Sequence, residues 1–347
     1  AGLSVAREFV GTSTRVILLE GGGFDLEPSM QALYRGEIVG RPYYPLEAAR
    51  LHYFGGTTGH WGGFCAPLDP IDFTARAWVP DSGWPITRET LDPFYARAHD
   101  VLDLGPFDYR PSFWQGLDPR RESLPLDRGV FEEKIWQFSA PTRFGSKFRD
   151  TMVSSPTVQL YTHANVVEVE CNEGATRVES LRVRHFNGRE QRVRAAHVVL
   201  ACSTMQNVRL LLASTGRSPS GVGNAHDIVG RYFMEHLEMP TGRAAMLRPQ
   251  SMLFYGYDFG VTPARAELRL TDAEQQRRGV LNATLACEPA SDDGQDALST
   301  FEIEPPESVE SFRQQTRDSL TAEMRSPART FDAEFVTRRP LFALFTR

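Results

Sequence analysis

The stretch Arg15-Val16-Ile17-Leu18-Leu19-Glu20-Gly21-Gly22-Gly23 constrains the fold more than any other part of the chain. An apolar, partly β-branched run, bounded by Thr12-Ser13-Thr14 before it and three glycines after it, reads as a short buried strand of the kind found in parallel sheets. Ahead of it, Ala1-Gly2-Leu3-Ser4-Val5-Ala6-Arg7-Glu8 reads as a helix already under way. Glu20 follows Gly2 by 18 positions. In a dinucleotide-binding strand–helix–strand unit, a glycine-opened helix aims its N-terminus at the pyrophosphate. An acidic residue roughly 20 positions on then accepts hydrogen bonds from the adenosine ribose. Gly2, Glu20 and the adjoining Gly21 are therefore candidate cofactor residues, with Gly2 as the third glycine of G-x-G-x-x-G. The first strand and the first two glycines are expected upstream of Ala1. The apolar end at Leu341 to Arg347, with no closing turn, gives the same expectation of a cut chain at the other terminus.

Pro and Gly dominate from Gly40 to Pro93, so irregular structure is expected there, with one helix over Arg88 to Leu102. An irregular stretch of that length is more often functional than idle. Farther on, the pattern predicts a helix over Gly145 to Val153 and strands over Val158 to Tyr161 and Val166 to Cys171. A hairpin, Ser180 to Phe186 and Glu190 to Arg194, turns at Asn187-Gly188. A strand over His197 to Ala201 and a helix over Gln206 to Ala213 follow, and beyond Arg231 the pattern loosens. The acidic, Pro-containing segment Glu288 to Glu310 is expected to be exposed.

Inside the irregular stretch stands Phe54-Gly55-Gly56-Thr57-Thr58-Gly59-His60-Trp61-Gly62-Gly63-Phe64-Cys65-Ala66-Pro67. Glycines there expose backbone amides that can approach a ring system or a diphosphate more closely than any side-chain-bearing loop. The loop resembles the flavin-contacting glycine loop of the glucose-methanol-choline (GMC) family of FAD-dependent oxidoreductases. Two further segments are similar to the family in the same order. Tyr161-Thr162-His163-Ala164-Asn165-Val166 leads into a strand, and His197-Val198-Val199-Leu200-Ala201-Cys202-Ser203 stands where the family has its VVLAAG turn, with Cys202 or Ser203 in place of glycine. Asp227 to His236 resembles the family's VGxNLxDH stretch.

The resemblance covers Ala1 to about Glu238 and implies an α/β (α+β) architecture. A Rossmann-like FAD-binding domain is expected from 1–110 and 145–235, discontinuous and lacking its first strand. A connecting segment would span 111–144, and a second, mainly antiparallel-sheet substrate domain would span 236–347. It implies FAD as cofactor, held by Gly2, Glu20, Gly21, Gly55, Gly56, Thr57, Thr58, His60, Trp61, Gly62, Gly63, Val166 (through its backbone, to adenine), Ala201 and Cys202. In the pyranose oxidase and choline oxidase branches the residue matching His60 is a histidine joined covalently to the flavin; His60 is a candidate tether with a non-covalent role as the alternative. The pyranose oxidase and sugar dehydrogenase-like branch is the expected placement. The implied reaction is oxidation of a CH–OH group of a small alcohol or sugar, with hydride passing to flavin N5 and with oxygen, a quinone or a cytochrome as electron acceptor. The family's C-terminal catalytic histidine pair has no counterpart, since no histidine follows His236. No catalytic residue is therefore assigned, and the chain by itself is expected to be inactive. A nicotinamide-dependent dehydrogenase and a non-catalytic remnant of such an enzyme are the alternatives.

Composition narrows partners rather than chemistry. A formal net charge of −6 argues against a nucleic-acid backbone as partner. No apolar stretch reaches the ~18 residues that a membrane-crossing helix requires. Localisation stays open, with the cytoplasm slightly favoured. The four cysteines, Cys65, Cys171, Cys202 and Cys287, are scattered without paired spacing, so neither disulfides nor a metal site is expected, and buried structural thiols are the reading.

Overall fold

The computed structural model describes residues 1–40, 43–140, 142–236, 251–256 and 263–287. In chain order its elements begin α1 (Gly2–Arg7), β1 (Val16–Leu19), α2 (Pro28–Gln31), α3 (Leu46–Ala49), β2 (Phe64–Cys65), α4 (Arg88–Leu102), α5 (Pro111–Leu117), β3 (Phe131–Phe138) and α6 (Phe144–Ser154). They continue with β4 (Val158–Tyr161), β5 (Asn165–Cys171), β6 (Val178–Arg184), β7 (Glu190–Val193), α7 (Thr204–Ala213), β8 (Ala264–Leu270), α8 (Asp272–Arg278) and β9 (Thr284–Leu285). Two compact units result, 1–61 with 142–235 and 62–141 with 236–347. Residues 62–110, grouped with the cofactor domain from sequence, fall in the second unit.

In the first unit β1 pairs in parallel with β4, from Val16 opposite Val158 to Leu19 opposite Tyr161. A parallel pair needs a crossover, and α6 supplies one immediately before β4. The helix buries Phe144, Phe148 and Met152 at i, i+4 and i+8, the spacing of one helical face. Leu3 and Ala6 do the same for α1. The strands β5, β6 and β7 form an antiparallel meander. Val169, Cys171 and Leu181 of this meander form a core with Leu210 of α7, joined by Leu19, Val166, Val198 and Leu200. On the other side of the meander Arg182 pairs with Glu168 at 2.7 Å and Arg192 with Glu170 at 2.8 Å. The β6–β7 turn closes at Asn187-Gly188, where Gly188 takes φ +81° and Asn187 Oδ1 accepts from the Arg189 N–H at 3.0 Å.

His197 to Ala201 is not a strand. Val198 and Leu200 are packed on the core as the sequence pattern requires, but the segment makes no hydrogen-bond ladder with any described strand. Buried periodicity without a partner does not make a sheet. The four cysteines are free, yet only Cys171 is buried and Cys202 is exposed, so the buried-thiol reading fails at Cys202.

The second unit carries a four-stranded antiparallel sheet in the order β2-β3-β8-β9. Trp114, Leu124, Ile135, Phe254, Tyr255, Ala264, Ala266 and Leu268 form its core. Every residue of β8 is buried, including Arg265, Glu267 and Arg269. These charges are tolerated because they are paired, Arg265 with Glu267 at 2.6 Å and Arg269 with Asp69 at 2.7 Å. Residues 111–144, read as a connecting segment, hold α5 and the eight-residue β3. The segment 288–310 and the end at 341–347 lie outside the described residues. No described helix is long and apolar enough to cross a membrane.

Candidate cofactor site

The carboxyl end of β1 gathers five of the residues singled out from sequence. Gly2 opens α1 against Ala201, so close that a β-carbon on Gly2 would stand 3.3 Å from the Ala201 β-carbon. Glu20 follows β1 and is held by its own loop, its Oε1 accepting from the Gly22 N–H at 2.8 Å. Burial pushes the Glu20 carboxyl upward, against the pull of the Gly22 and Gly21 N–H groups. Cys202 lies within electrostatic range of Glu20. The turn at 200–203 is pinned by Asn207, which accepts from the Cys202 N–H and donates to the Leu200 carbonyl, each at 3.0 Å. Ser203, one of the two positions where the family has glycine, sits at φ +77°, ψ 158°. That is a region only glycine occupies without strain.

The glycine run after Glu20 is demanded by what leans on it. A β-carbon on Gly21 would collide with His52 Nε2 and come within 2.8 Å of Asn165 Oδ1. His163 donates its N–H to the Gly22 carbonyl and Ala164 to the Glu20 carbonyl, each at 2.9 Å, which brings the start of β5 beside the acid. Val166 lies just beyond, paired with Val183, and the ladder shifts register between Val166 and Glu168.

The second glycine loop is built against α6. Gly55 adopts φ +99°, and Gly56 to Gly59 form a 3-10 turn. A β-carbon on Gly55 would run into the Gly145 amide nitrogen and stand 2.7 Å from the Gly145 α-carbon. Arg143 donates from Nη1 to the carbonyls of Thr58 and Trp61, both at 3.0 Å. Thr58 Oγ1 accepts from the Phe144 N–H at 3.2 Å and donates to the Gly55 carbonyl at 2.7 Å. The Thr57 carbonyl accepts from the N–H groups of His60 and Trp61, each at 3.2 Å. The Trp61 indole donates to the Thr142 carbonyl at 3.0 Å. His60 is exposed at the end of the turn. Gly62 and Gly63 begin the second unit, where Gly63 takes φ +79° and a β-carbon on it would stand 2.7 Å from the Ser139 carbonyl oxygen. At Gly55 and Gly63, then, the close approach that demands glycine is made to the protein's own backbone.

Sequence reasoning passed over Tyr34, Arg50 and His52. Tyr34 and His52 stack with ring centroids 4.5 Å apart and planes within 7°, and the Arg50 guanidinium lies 4.7 Å from the Tyr34 centroid. Tyr34 is pushed up to about 12 by burial, with Glu20's charge adding to it. His52 Nδ1 lies 2.9 Å from the Met30 carbonyl oxygen. A carbonyl can only accept, so Nδ1 carries the proton, and burial holds the ring's pKa below its ordinary value. These residues sit among glycines and prolines with no periodicity. Their one sequence signal is an arginine between aromatic residues shortly before the loop.

The second unit has its own cleft of about 560 Å³, lined by Asp69, Tyr109, Lys134 and Arg269 among others. Its charges neutralise one another, Asp69 bridging Lys134 and Arg269, each at 2.7 Å. Among the described residues no cluster of His, Cys, Asp and Glu could hold a metal ion.

The chain is similar to a dehydrogenase. It is 25% identical to the 2-methyl-1,2-propanediol dehydrogenase of Mycolicibacterium austroafricanum, in an alignment covering 75% of this chain and 54% of that enzyme. The chain thus spans about half the length of the curated relative it matches. Among solved structures it is similar to a formate oxidase, with a TM-score of 0.38 and 16% identity over 58% of this chain and 43% of that one. It is also similar to a structure of Aspergillus oryzae formate oxidase concerned with FAD modification, with a TM-score of 0.36, 16% identity and the same coverage. No family model matches. The fold is mixed, a short parallel pair in the first unit and antiparallel sheets in both.

Proposed function

We propose that the chain is part of a GMC-type FAD-dependent oxidoreductase that oxidises a CH–OH group of a small alcohol. The observation that carries this reading is the convergence of Gly2, Glu20, Gly21, Ala201 and Cys202 at the end of β1, beside a helix start. Parallel-sheet folds bind dinucleotides at that end of their strands. The similarity to a diol dehydrogenase supports the reaction class, and it favours a small alcohol or diol over a sugar of the pyranose oxidase branch.

The residues fit the dinucleotide they are proposed to hold. Glu20 keeps a carboxylate acceptor for the ribose hydroxyls, since its described hydrogen bonds come from one side only, the amides of its own glycine turn. Gly2 lets the start of α1 lie directly against the 200–203 turn. The backbone about Val166 is assigned to adenine, and the Gly55–Gly63 segment, with Thr57, Thr58 and Trp61, to the flavin end. His60 is exposed, and among the described residues it is anchored through its backbone, which leaves its imidazole for the proposed tether. When bound, the flavin supplies the hydride acceptor. No proton-abstracting group is assigned among the described residues.

The test is the visible absorption of the purified protein before and after acid precipitation. A flavin spectrum is expected, and colour kept in the pellet assigns the tether to His60 provided that His60→Ala releases it. A protein that is colourless and stays so after incubation with FAD overturns the reading.

A further inference from the structure

Arg50 carries a buried guanidinium that the described residues of the first unit leave largely uncompensated. The residue is only 8% exposed, and the one hydrogen bond its guanidinium makes among the described residues is a long one, from Nη2 to the Leu46 carbonyl at 3.3 Å. Nε and Nη1 are buried with no partner. A guanidinium stays charged at any ordinary pH, and leaving one buried without a counter-ion is strongly unfavourable. Burial holds the Arg50 pKa below its usual value, against the opposing influence of Tyr34 and Tyr43, and a second cation, Arg209, lowers it further. Arg209 is itself fixed near the stack, donating from Nη1 to the Leu33 carbonyl at 2.7 Å, next to Tyr34 in sequence.

The surroundings dictate what would satisfy it. Tyr34 covers one face of the guanidinium and is backed by His52. Stacking of this kind engages the face of the cation and leaves its in-plane N–H donors for an acceptor. Neither aromatic can be that acceptor. Tyr34 keeps its proton at neutral pH, and His52 is a neutral ring whose Nε2 is lodged against Gly21. Two cations and no described carboxylate partner call for an anion with several oxygens. The same Tyr34 ring lies within electrostatic range of Glu20, the proposed ribose acceptor, and of Cys202.

We propose that Arg50, assisted by Arg209, receives a phosphate oxyanion, and that in the bound protein this phosphate belongs to the nucleotide whose ribose Glu20 holds. The assignment to a nucleotide rests on the flavin-dinucleotide reading above; the phosphate chemistry itself does not. Arg50 is then a binding residue that orders the cofactor's nucleotide end through Tyr34 and His52, and its empty form is a standing destabilisation of the apoprotein.

The experiment titrates the full chain, freed of bound nucleotide, with ADP, adenosine and inorganic phosphate by calorimetry, and records its melting temperature with each. For Arg50→Gln the expected loss is roughly 10- to 100-fold in ADP affinity, the worth of one charge-assisted phosphate contact. Adenosine affinity is expected to change by less than about 2-fold, since no contact to the base or ribose is removed. Melting of the nucleotide-free variant is expected at or above the wild-type temperature, and the rise produced by phosphate or ADP is expected to vanish. Arg209→Gln is expected to show a smaller loss of the same kind. A variant that melts lower when free of ligand and loses ADP and adenosine equally makes Arg50 a structural residue and overturns the proposal. ADP and FAD binding unaffected by Arg50→Gln also overturns it while leaving the flavin reading standing. Stabilisation by inorganic phosphate that depends on Arg50, in a protein that binds neither ADP nor FAD, keeps the phosphate site and overturns its assignment to a nucleotide.

Discussion

Replacing Gly55 with alanine separates two roles that the sequence cannot distinguish, packing of the loop and approach of the loop to a cofactor. The substitution places a β-carbon on a residue at φ +99°, which costs on the order of 1–2 kcal/mol for an L-residue. It also drives that carbon into the Gly145 amide nitrogen and to 2.7 Å from the Gly145 α-carbon. Those are backbone atoms of the first turn of α6, already tied down by Arg143 and Thr58, so the helix must shift as a body. Overpacking of this kind adds about 1–3 kcal/mol. The total of roughly 2–5 kcal/mol is a large part of the 5–15 kcal/mol that typically holds a domain together. Gly56→Ala is the internal control. It has a positive φ of 57°, but the nearest atom to its new β-carbon is the Leu51 carbonyl oxygen at 3.8 Å, so only the backbone cost of about 1 kcal/mol applies. Urea unfolding of both variants, without cofactor, reads the difference directly. Equal destabilisation of the two, or a Gly55→Ala variant within about 0.5 kcal/mol of wild type, would show that the contact with Gly145 is not what requires glycine.

Glu20→Gln is expected to weaken ADP binding by roughly 10-fold or more, because a charged acceptor becomes a neutral one. Since burial raises the Glu20 pKa, wild-type affinity should fall as pH drops towards that raised value, before the ordinary carboxylate range is reached, and the glutamine variant should lose this dependence in a calorimetric pH series. His52 has its folded pKa depressed, so the stability it contributes is full above the unfolded value and lost as pH falls through the folded one. Thermal melts from pH 7 down to about 5 should therefore decline in wild type and flatten in His52→Asn, whose side-chain amide can still donate to the Met30 carbonyl. Ser203→Gly is expected to raise stability by about 1 kcal/mol by relieving the backbone at φ +77°, and a chemical-denaturation series showing a loss instead would mean that the serine side chain holds the turn.

Elements with local signatures were legible. RVILLE bounded by polar residues and glycines gave β1, the Asn187-Gly188 pair gave the β6–β7 turn, and the helix read over Gly145 to Val153 is α6. The sheet of the second unit was not legible. β3 reads FEEKIWQF, with half-buried charges, and β8 reads ARAELRL, whose charges the fold buries and neutralises in pairs such as Arg269 with Asp69. From sequence such charges look like a solvated face, because the partner is distant along the chain. At the candidate site, Gly2 and Glu20 follow from spacing, while Arg50 with Tyr34 and His52 is a tertiary assembly from an aperiodic stretch. The His197–Ala201 segment shows the converse, a strand-like pattern that makes no ladder with any described strand.

The central claim is that the first unit holds a flavin dinucleotide by its adenosine end at Glu20. Titration of FAD into the full, ligand-free chain, followed by quenching of flavin fluorescence with ADP as competitor, tests it most directly. Saturable one-to-one binding that ADP displaces and Glu20→Gln weakens is the predicted result; no saturable binding, or binding indifferent to ADP and to Glu20, would contradict it.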